Sequence, residues 1–229
     1  MGKEAAKAPW QIRRYQAQDW AAVRAIFAEG MLEQVAANFW HLLKQPRGLL
    51  LLLGVPGALL LGSGSLLPAL LALPALLPTL WLLARYPFSY YVAHALHTDM
   101  RDIGAAYLSD PGSCFWVAES GSGAPVGLVC ARPAPEAPDR GQLELLHLSV
   151  RREHRGRGVA KGLVRTVLRF AQARGYGGVV LTTASLNAPA RKLYESLGFC
   201  KSRESLTGPS WSPVTISLAH YKHALPLAS

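Results

Sequence analysis

The segment of the sequence that points most directly to chemistry is HRGRGVAKGL, residues 154–163, in which three glycines lie among four basic residues. A loop with few side chains that leads into a helix presents several backbone N–H groups together with the positive end of the helix dipole. Such an arrangement binds phosphate or diphosphate groups. A strand-like segment (143–150) precedes these residues and a helix-like segment (159–173) follows them, so the sequence predicts a phosphate-binding loop between the two.

The spacing of the glycines excludes two common phosphate motifs. The dinucleotide pattern GxGxxG fails because the third glycine position, counted from Gly156, is Lys161. The Walker pattern fails because no Gly-Lys-Ser/Thr follows. The segment does match (Q/R)xxGx(G/A), with Arg155, Gly158 and Ala160 at the defining positions.

A second motif lies further along the chain, where residues 187–199 read NxxAxxLYxxxGF. The matching positions are Asn187, Ala190, Leu193, Tyr194, Gly198 and Phe199. The two motifs, in this order, resemble those of the GNAT superfamily of N-acetyltransferases, and the resemblance covers residues 11–40 and 92–223. HTDMRDI, GSCFWVAES and LLHLSV, combined with a hydrophobic insert, are similar to the camello-like membrane N-acetyltransferases. That group includes cysteine S-conjugate and aspartate N-acetyltransferases.

The resemblance implies that acetyl-CoA is the acetyl donor and that transfer is direct, in a ternary complex. It implies that the backbone of Leu148, Ser149 and Val150 pairs with the pantetheine amides and that Gly156–Lys161 hold the diphosphate. Nearby arginines could add contacts to the 3′-phosphate. The coenzyme-binding residues predicted in this way are Leu148, Ser149, Val150, Arg155, Gly156, Arg157, Gly158, Val159, Ala160, Lys161, Asn187 and Tyr194. Asn187 is also a natural N-cap for the helix that follows it.

Acetyl transfer to an amine requires a base for the ammonium proton and an acid for the departing thiolate. Glu144 is the first candidate for the base, because many members of the superfamily carry a carboxylate on this strand; the alternative is a solvent-facing carboxylate. His147 is the rival candidate, with a packed core histidine as its alternative. Strict alternation predicts that Glu144 and His147 lie on opposite faces of the strand, although a bulge could bring either inward.

Tyr194 matches the tyrosine that, in the superfamily, lies near the coenzyme sulfur and returns a proton to it. The alternative is a core aromatic on an amphipathic helix. Two further histidine pairs, His94 with His97 and His220 with His223, have no adjacent set of carboxylate and cysteine together, so no metal site is predicted.

The elements that must position these residues follow an α/β pattern with a mixed, mostly antiparallel sheet. The sequence predicts a strand at 11–16, a helix at 20–31, a second helix at 94–108 and a hairpin from SCFWVAES to VGLVCARP. A Pro-rich loop (132–141), strand 143–150, helix 159–173, strand 177–184, helix 188–199 and a final strand at 214–223 complete the pattern. Residues 1–229 are thus predicted to form one GNAT catalytic domain interrupted by a hydrophobic segment.

That segment, residues 48–84, contains 37 residues without a charge and is dominated by leucine. It is too long for one straight membrane span of about 20 residues and slightly short for two. LGSGS at 61–65 and prolines at 56, 68, 74 and 78 should interrupt any single helix, which favours a membrane hairpin over the alternative of one tilted, kinked span. Lys44, Arg47 and Arg85 flank the segment, so the positive-inside rule places both ends in the cytosol.

The net charge of +10 favours anionic ligands, anionic lipid headgroups or nucleic acid. Seven Lys or Arg between 151 and 169 could form a nucleic-acid surface, but no RNA-binding pattern or aromatic platform accompanies them, so no nucleic-acid partner is predicted. The three cysteines form no CxxC pair, which is typical of a reducing compartment.

The predicted function is therefore a membrane-anchored N-acetyltransferase of the endoplasmic reticulum with its catalytic domain facing the cytosol. Its predicted partners are acetyl-CoA, the lipid bilayer and a small-molecule amine, with a cysteine S-conjugate as the expected acceptor. Two alternatives stay open: acetylation of protein lysines in the endoplasmic reticulum, and a membrane adaptor without catalytic activity.

Overall fold

The computed structural model describes residues 10–135, 141–209, 212 and 215–226. Its sheet has seven strands: β1 (Trp10–Arg14), β2 (Cys114–Ser120), β3 (Pro125–Pro133), β4 (Gln142–Val150), β5 (Gly178–Ala184), β6 (Cys200–Leu206) and β7 (Ser217–Ala224). The strand order is β1-β2-β3-β4-β5-β7-β6, and β4 with β5 is the one parallel pair. The mixed, mostly antiparallel sheet predicted from the sequence is confirmed.

Helices cover both faces of this sheet. The described helices are α1 (Trp20–Leu32), α2 (Gln34–Lys44), α3 (Pro46–Leu49), α4 (Val55–Ser63), α5 (Leu66–His97), α6 (Ile103–Tyr107), α7 (Val159–Ala173) and α8 (Ala188–Glu195). Phe27 of α1, Val92 of α5 and Tyr107 of α6 pack on one face, in what we term the α1-side core. Leu163 and Val167 of α7 pack on the other face, in the α7-side core.

Most elements lie where the sequence places them, and α7 begins and ends at the predicted residues. The predicted helix over 94–108 is wrong, because His94–His97 end α5 and a turn separates them from α6. Asp102 explains the restart, since its side chain accepts a hydrogen bond from the Ala105 N–H and caps α6. Residues 136–140 of the predicted Pro-rich loop and position 214 of the predicted last strand lie outside the described residues.

The hydrophobic segment forms a helical hairpin. Its first arm, Pro46–Ser63, comprises α3, a π-helical turn (Leu50–Gly54) and α4, and its second arm is the 32-residue helix α5. Gly64, with φ at +64°, ends the first arm, and the Ser65 side chain caps α5. Both arms are long and apolar enough to be candidate membrane spans, with few buried residues. The predicted interruption at 61–65 and the helical hairpin are confirmed; the insertion of this hairpin into a membrane stays a prediction.

Two of the prolines expected to break the helix do not break it. Pro74 and Pro78 lie inside α5, which also continues through Pro87. Each of these prolines removes only one backbone hydrogen-bond donor, and the helix continues on both sides of it.

Helix α5 links the hairpin directly to the sheet domain. Leu80 and Ala84 pack against Leu42 of α2, whereas Val92 and Ala95 lie in the α1-side core. One continuous helix therefore carries the chain from a candidate membrane span into the catalytic fold.

Candidate active site

The central feature of the site is a gap between the two parallel strands. β4 and β5 pair from Gln142 with Gly178 to Leu145 with Leu181, and the described pairing stops there although both strands continue. Beyond Leu145, the β5-facing backbone groups of β4 are left without ladder partners. Such groups must find another hydrogen-bonding partner, and an extended chain of amides fits between the strands as an added strand would.

A bulge in β4 lies beside this gap. Cys130 pairs with Leu146 and Leu128 pairs with Ser149, so one residue of β3 faces two residues of β4, His147 and Leu148. His147 has φ at +55° and is the one non-glycine residue with positive φ in the described part of the chain. Such a conformation in a strand is uncommon and is typical of functional sites.

The bulge corrects the predicted orientation of the two candidate bases. Strict alternation placed Glu144 and His147 on opposite faces, but the extra residue shifts the alternation by one position. Leu145 and Leu148 both contact the α7-side core, and the side chain of His147 instead lies against Phe27 of α1. Glu144, between two residues of the α7-side core, faces the same side as His147.

His147 is held by a partly buried carboxylate. Its Nε2 lies 2.7 Å from Oδ2 of Asp99, and the side chain of His147 is 3% exposed. The hydroxyl of Tyr107 donates to the same Oδ2. Burial alone would raise the pKa of Asp99, but the hydrogen bonds from His147 and Tyr107 outweigh burial and hold that pKa well below its usual value. Asp99 is therefore ionised and accepts, so the Nε2 of His147 carries a proton.

The second ring nitrogen of His147 faces helix α5. Its Nδ1 lies 3.4 Å from the hydroxyl of Tyr91, and the Phe27 ring packs edge-on against the imidazole at 4.6 Å between centroids. With the proton on Nε2, Nδ1 is the nitrogen with a lone pair. The arrangement of carboxylate, imidazole and hydroxyl is that of a positioned acid–base group.

Glu144 is engaged differently from His147. Its carboxylate forms an ion pair with Arg132 of β3, with 3.3 Å between Nε and Oε2. The Glu144 carboxylate already faces a cation, whereas Nδ1 of His147 faces a hydroxyl. The geometry thus favours His147 over Glu144 as the base.

The glycine segment has the conformation that anion binding requires. Gly156 and Gly158 have φ at +73° and +81°, and Gly158 is the N-cap residue of α7. The first helical hydrogen bond of α7 is donated by Gly162 to Gly158. The N–H groups of Val159, Ala160 and Lys161 precede it and have no acceptor within the helix.

Strand β1 braces this loop. The indole N–H of Trp10 donates to the carbonyl of Arg157 at 3.1 Å. A Cβ at Gly162 would lie 2.5 Å from the Trp10 ring, so glycine at that position allows strand and helix to approach.

Two of the arginines near the loop have structural partners. Arg155 donates to the Val150 carbonyl and pairs with Glu33 at 2.6 Å. Arg151 donates to the Pro125 carbonyl. These contacts tie the loop to the junction of α1 and α2 and to β3.

The second motif spans α8 and reaches into the α7-side core. The Asn187 side chain accepts a hydrogen bond from the Ala190 N–H and caps α8, as expected for an N-cap. Tyr194 is buried in the α7-side core against Phe199 and Tyr221. Burial raises the pKa of Tyr194, so its phenol stays protonated at neutral pH and can donate a proton.

A cavity of about 130 Å³ lies near the base of the hairpin, between α2, the start of α8 and β7. Ile216 in its wall belongs to the same cluster as Phe88 of α5, one helical turn before Tyr91.

A larger groove, of about 420 Å³, lies on the α7 side, between Trp10, Trp116 and Arg169. Its described titratable groups are guanidinium groups.

The sequence did not assign roles to Asp99, Tyr91 or Arg132. Asp99 lies 48 positions from His147, and no local pattern predicts that contact. Its position in HTDMRDI was the one available signal. No group of three or more His, Cys, Asp or Glu side chains suited to a metal lies among the described residues.

Comparison with known proteins places these features in a family. The profile of the acetyltransferase (GNAT) family matches residues 78–199. N-acetyltransferase 8 of Rattus norvegicus is 51% identical over 220 residues, covering 96% of this chain and 99% of the rat protein. N-acetyltransferase 8B of Homo sapiens is 49% identical over 222 residues, covering 96% and 97% of the two chains.

Solved structures agree on the fold. A GNAT-family acetyltransferase from Staphylococcus aureus Mu50 superposes with a TM-score of 0.58 at 15% identity, covering 95% of this chain and 99% of that one. A GCN5-related N-acetyltransferase from Kribbella flavida gives a TM-score of 0.55 at 17% identity, covering 95% and 98%.

Proposed function

Because this chain belongs to the GNAT family of acetyltransferases, close to the N-acetyltransferase 8 proteins, and is an acetyl-CoA-dependent N-acetyltransferase, we propose that it acetylates the amine of a small amphiphilic amino acid derivative at a membrane surface. The observation that carries this proposal is the His147–Asp99 pair on the bulge of β4. It puts a positioned base beside the gap that suits the acetyl donor.

The donor lies along the gap between β4 and β5. The β5-facing edge of β4 at Leu148–Val150 takes the pantetheine amides, and the N–H groups at the start of α7 take the diphosphate. Arg155, Arg157 and Lys161 supply positive charge around the loop. Asn187 caps the helix that presents Tyr194 toward the coenzyme sulfur.

The reaction needs two proton movements. His147 takes one proton from the acceptor ammonium, and the neutral amine then forms a C–N bond to the acetyl carbonyl carbon. As the C–S bond breaks, the thiolate takes a proton from Tyr194, which regains one from the nitrogen of the new amide. Glu144 and Arg132 lie on the same face as His147 and give that wall of the site its charge.

The membrane part of the proposal rests on α5. Leu66–Ala84 are 19 residues and extend about 28 Å, close to the hydrocarbon thickness of a bilayer. Trp40, Trp81 and Tyr86 are exposed near the base of the hairpin, as aromatic residues are at bilayer interfaces. Arg85 follows the span directly, so Tyr91 lies about 9 Å further along the same helix.

This placement favours an acceptor with one end in the bilayer interface. An amino acid derivative with a large apolar substituent, such as a cysteine S-conjugate, would keep that substituent in the interface and present its amine near His147. A membrane hairpin would return the chain to the side of the membrane from which it entered. By the positive-inside rule, Lys44, Arg47 and Arg85 favour the cytosolic side of the endoplasmic reticulum membrane for the catalytic domain.

The test is acetyl transfer by the detergent-solubilised full chain. Labelled acetyl-CoA is supplied with S-benzylcysteine, cysteine, aspartate or a lysine peptide in separate reactions. The proposal expects transfer to S-benzylcysteine at a kcat/KM far above that for cysteine. Preference for the lysine peptide would indicate a protein acetyltransferase, and no transfer to any acceptor would indicate an adaptor; either result overturns the proposal.

The orientation has its own test. Sealed microsomes with a tag at each terminus are treated with external protease. The proposal expects both tags to be digested, and protection of either tag contradicts a cytosolic hairpin.

A further inference from the structure

We propose that the hydroxyl of Tyr91 is a catalytic group that carries the acceptor's proton to His147; this inference rests on the proposed function. Tyr91 belongs to α5, the helix that forms the second arm of the hairpin. Its hydroxyl lies 3.4 Å from Nδ1 of His147, the ring nitrogen that does not face Asp99.

His147 alone is badly placed to meet an incoming amine. Its side chain is 3% exposed, and the ring packs against Phe27. Its Nε2 is occupied by Asp99, which also accepts from Tyr107. The lone pair on Nδ1 therefore faces Tyr91 and not open solvent.

Tyr91 has the exposure that His147 lacks. The residue as a whole is 40% exposed, although it lies on the inward face of α5, three positions after Phe88 and four before Ala95, both buried. Its hydroxyl end lies deeper than the rest of the ring, and burial raises the pKa of the phenol, so the group stays protonated. The acceptor would approach along the exposed part of this ring. The Tyr91 ring also contacts Phe27, with 6.1 Å between centroids, which limits the positions of the hydroxyl.

In the proposed step, one proton passes from the acceptor through Tyr91 to His147. The acceptor arrives as R–NH₃⁺ and donates one proton to the Tyr91 oxygen while the Tyr91 hydroxyl proton moves to Nδ1 of His147. Tyr91 ends as a neutral phenol, the acceptor ends as a neutral amine, and His147 becomes an imidazolium facing the ionised Asp99. The amine attacks the thioester, and His147 later releases its proton to water.

The test compares Tyr91→Phe with a matched control, Tyr90→Phe. Both changes remove one hydroxyl from adjacent positions of α5, but Tyr90 is exposed on the outer face and stacks with Tyr86 and His94. We expect Y91F to lose on the order of 100-fold in kcat, as the removal of a general acid–base group does. We expect the KM for acetyl-CoA to stay within about twofold, and Y90F to match the wild type.

A second acceptor separates a proton relay from a packing role. An aminooxy analogue of the acceptor is already neutral at assay pH and has no ammonium proton to remove. The inference expects Y91F and wild type to use this analogue at rates within a few-fold of each other. Equal rates of Y91F and wild type with the ammonium acceptor overturn the inference, and so does an equal loss with both acceptors. Inactivity of the wild type overturns the proposed function itself.

Discussion

Nε2 of His147 and Oδ2 of Asp99 are 2.7 Å apart, although the two residues are 48 positions apart in the chain. The contact joins the bulge of β4 to the turn between α5 and α6. It fixes the proton of the imidazole on Nε2 and turns Nδ1 toward Tyr91. Asp99, which contacts neither substrate in the proposed reaction, thus determines that Nδ1 of His147 faces Tyr91.

Asp99→Asn should lower kcat by about 100-fold or more while leaving the KM for acetyl-CoA nearly unchanged. The amide can donate to Nε2 and so favours the wrong tautomer of His147, and it no longer stabilises an imidazolium. Steady-state kinetics of the purified full chain measure both constants.

Asp102→Asn is the matched control for that variant. Asp102 lies in the same turn and caps α6 through Ala105, and asparagine caps a helix about as well as aspartate. Its activity should equal that of the wild type, and a similar loss in both variants would argue against a special role of Asp99.

The thermal stability of the protein should also depend on the ionisation of Asp99. Because the folded chain holds the pKa of Asp99 below its ordinary value of 3.8, the ionised carboxylate stabilises the fold above that pH. This contribution is lost as the pH falls below 3.8 through the folded pKa. The difference in thermal midpoint between wild type and Asp99→Asn should be largest near neutral pH and shrink below pH 3.8; a difference that grows in acid would contradict the ion pair.

Gly158→Glu should abolish most coenzyme binding. The new side chain would be forced into φ at +81°, which costs roughly 1–2 kcal/mol, and it would place a carboxylate beside the diphosphate. We expect the Kd for CoA, measured by calorimetry, to rise at least about tenfold.

Gly175→Glu supplies the comparison, because Gly175 also has positive φ, at +74°, but lies beyond the other end of α7 with open space around it. It should lose similar stability and keep its affinity for CoA. Equal affinity in both variants would show that the loop does not bind the diphosphate.

Tyr194→Phe should slow the departure of the thiolate. The variant keeps the ring that packs on Phe199 and Tyr221 but removes the protonated hydroxyl, so kcat should fall at least about tenfold. An acetyl donor with an electron-poor aromatic thiol needs no proton for departure and should restore the rate. A variant that loses as much with that donor would show that Tyr194 acts through packing.

Those parts of the fold that depend on local patterns could be predicted from the sequence. The apolar stripe of α7 recurs at helical spacing, and the glycine-rich loop before it has a spacing that few phosphate motifs share. Strand β6 was not predicted because its residues are almost all exposed and polar, so an edge strand of this kind shows no alternation.

Long-range features of the site could not be predicted in this way. The bulge at His147 depends on one extra residue in the register between β3 and β4, and it reversed the expected face of that side chain. Asp99 and Tyr91 come to His147 from the end of a helix that begins in the hydrophobic hairpin. The sequence predicted a membrane element in the first part of that helix. No sequence pattern indicated that its C-terminal turns lie beside His147.

The most direct test of the account is a single-turnover comparison of His147→Gln with Glu144→Gln. Each enzyme is loaded with labelled acetyl-CoA and mixed with excess acceptor, and the rate of acetyl-amine formation is followed. The account predicts a loss on the order of 100-fold or more for H147Q and a change of only a few-fold for E144Q, whose carboxylate pairs with Arg132. A large loss in E144Q with near-normal H147Q would contradict it.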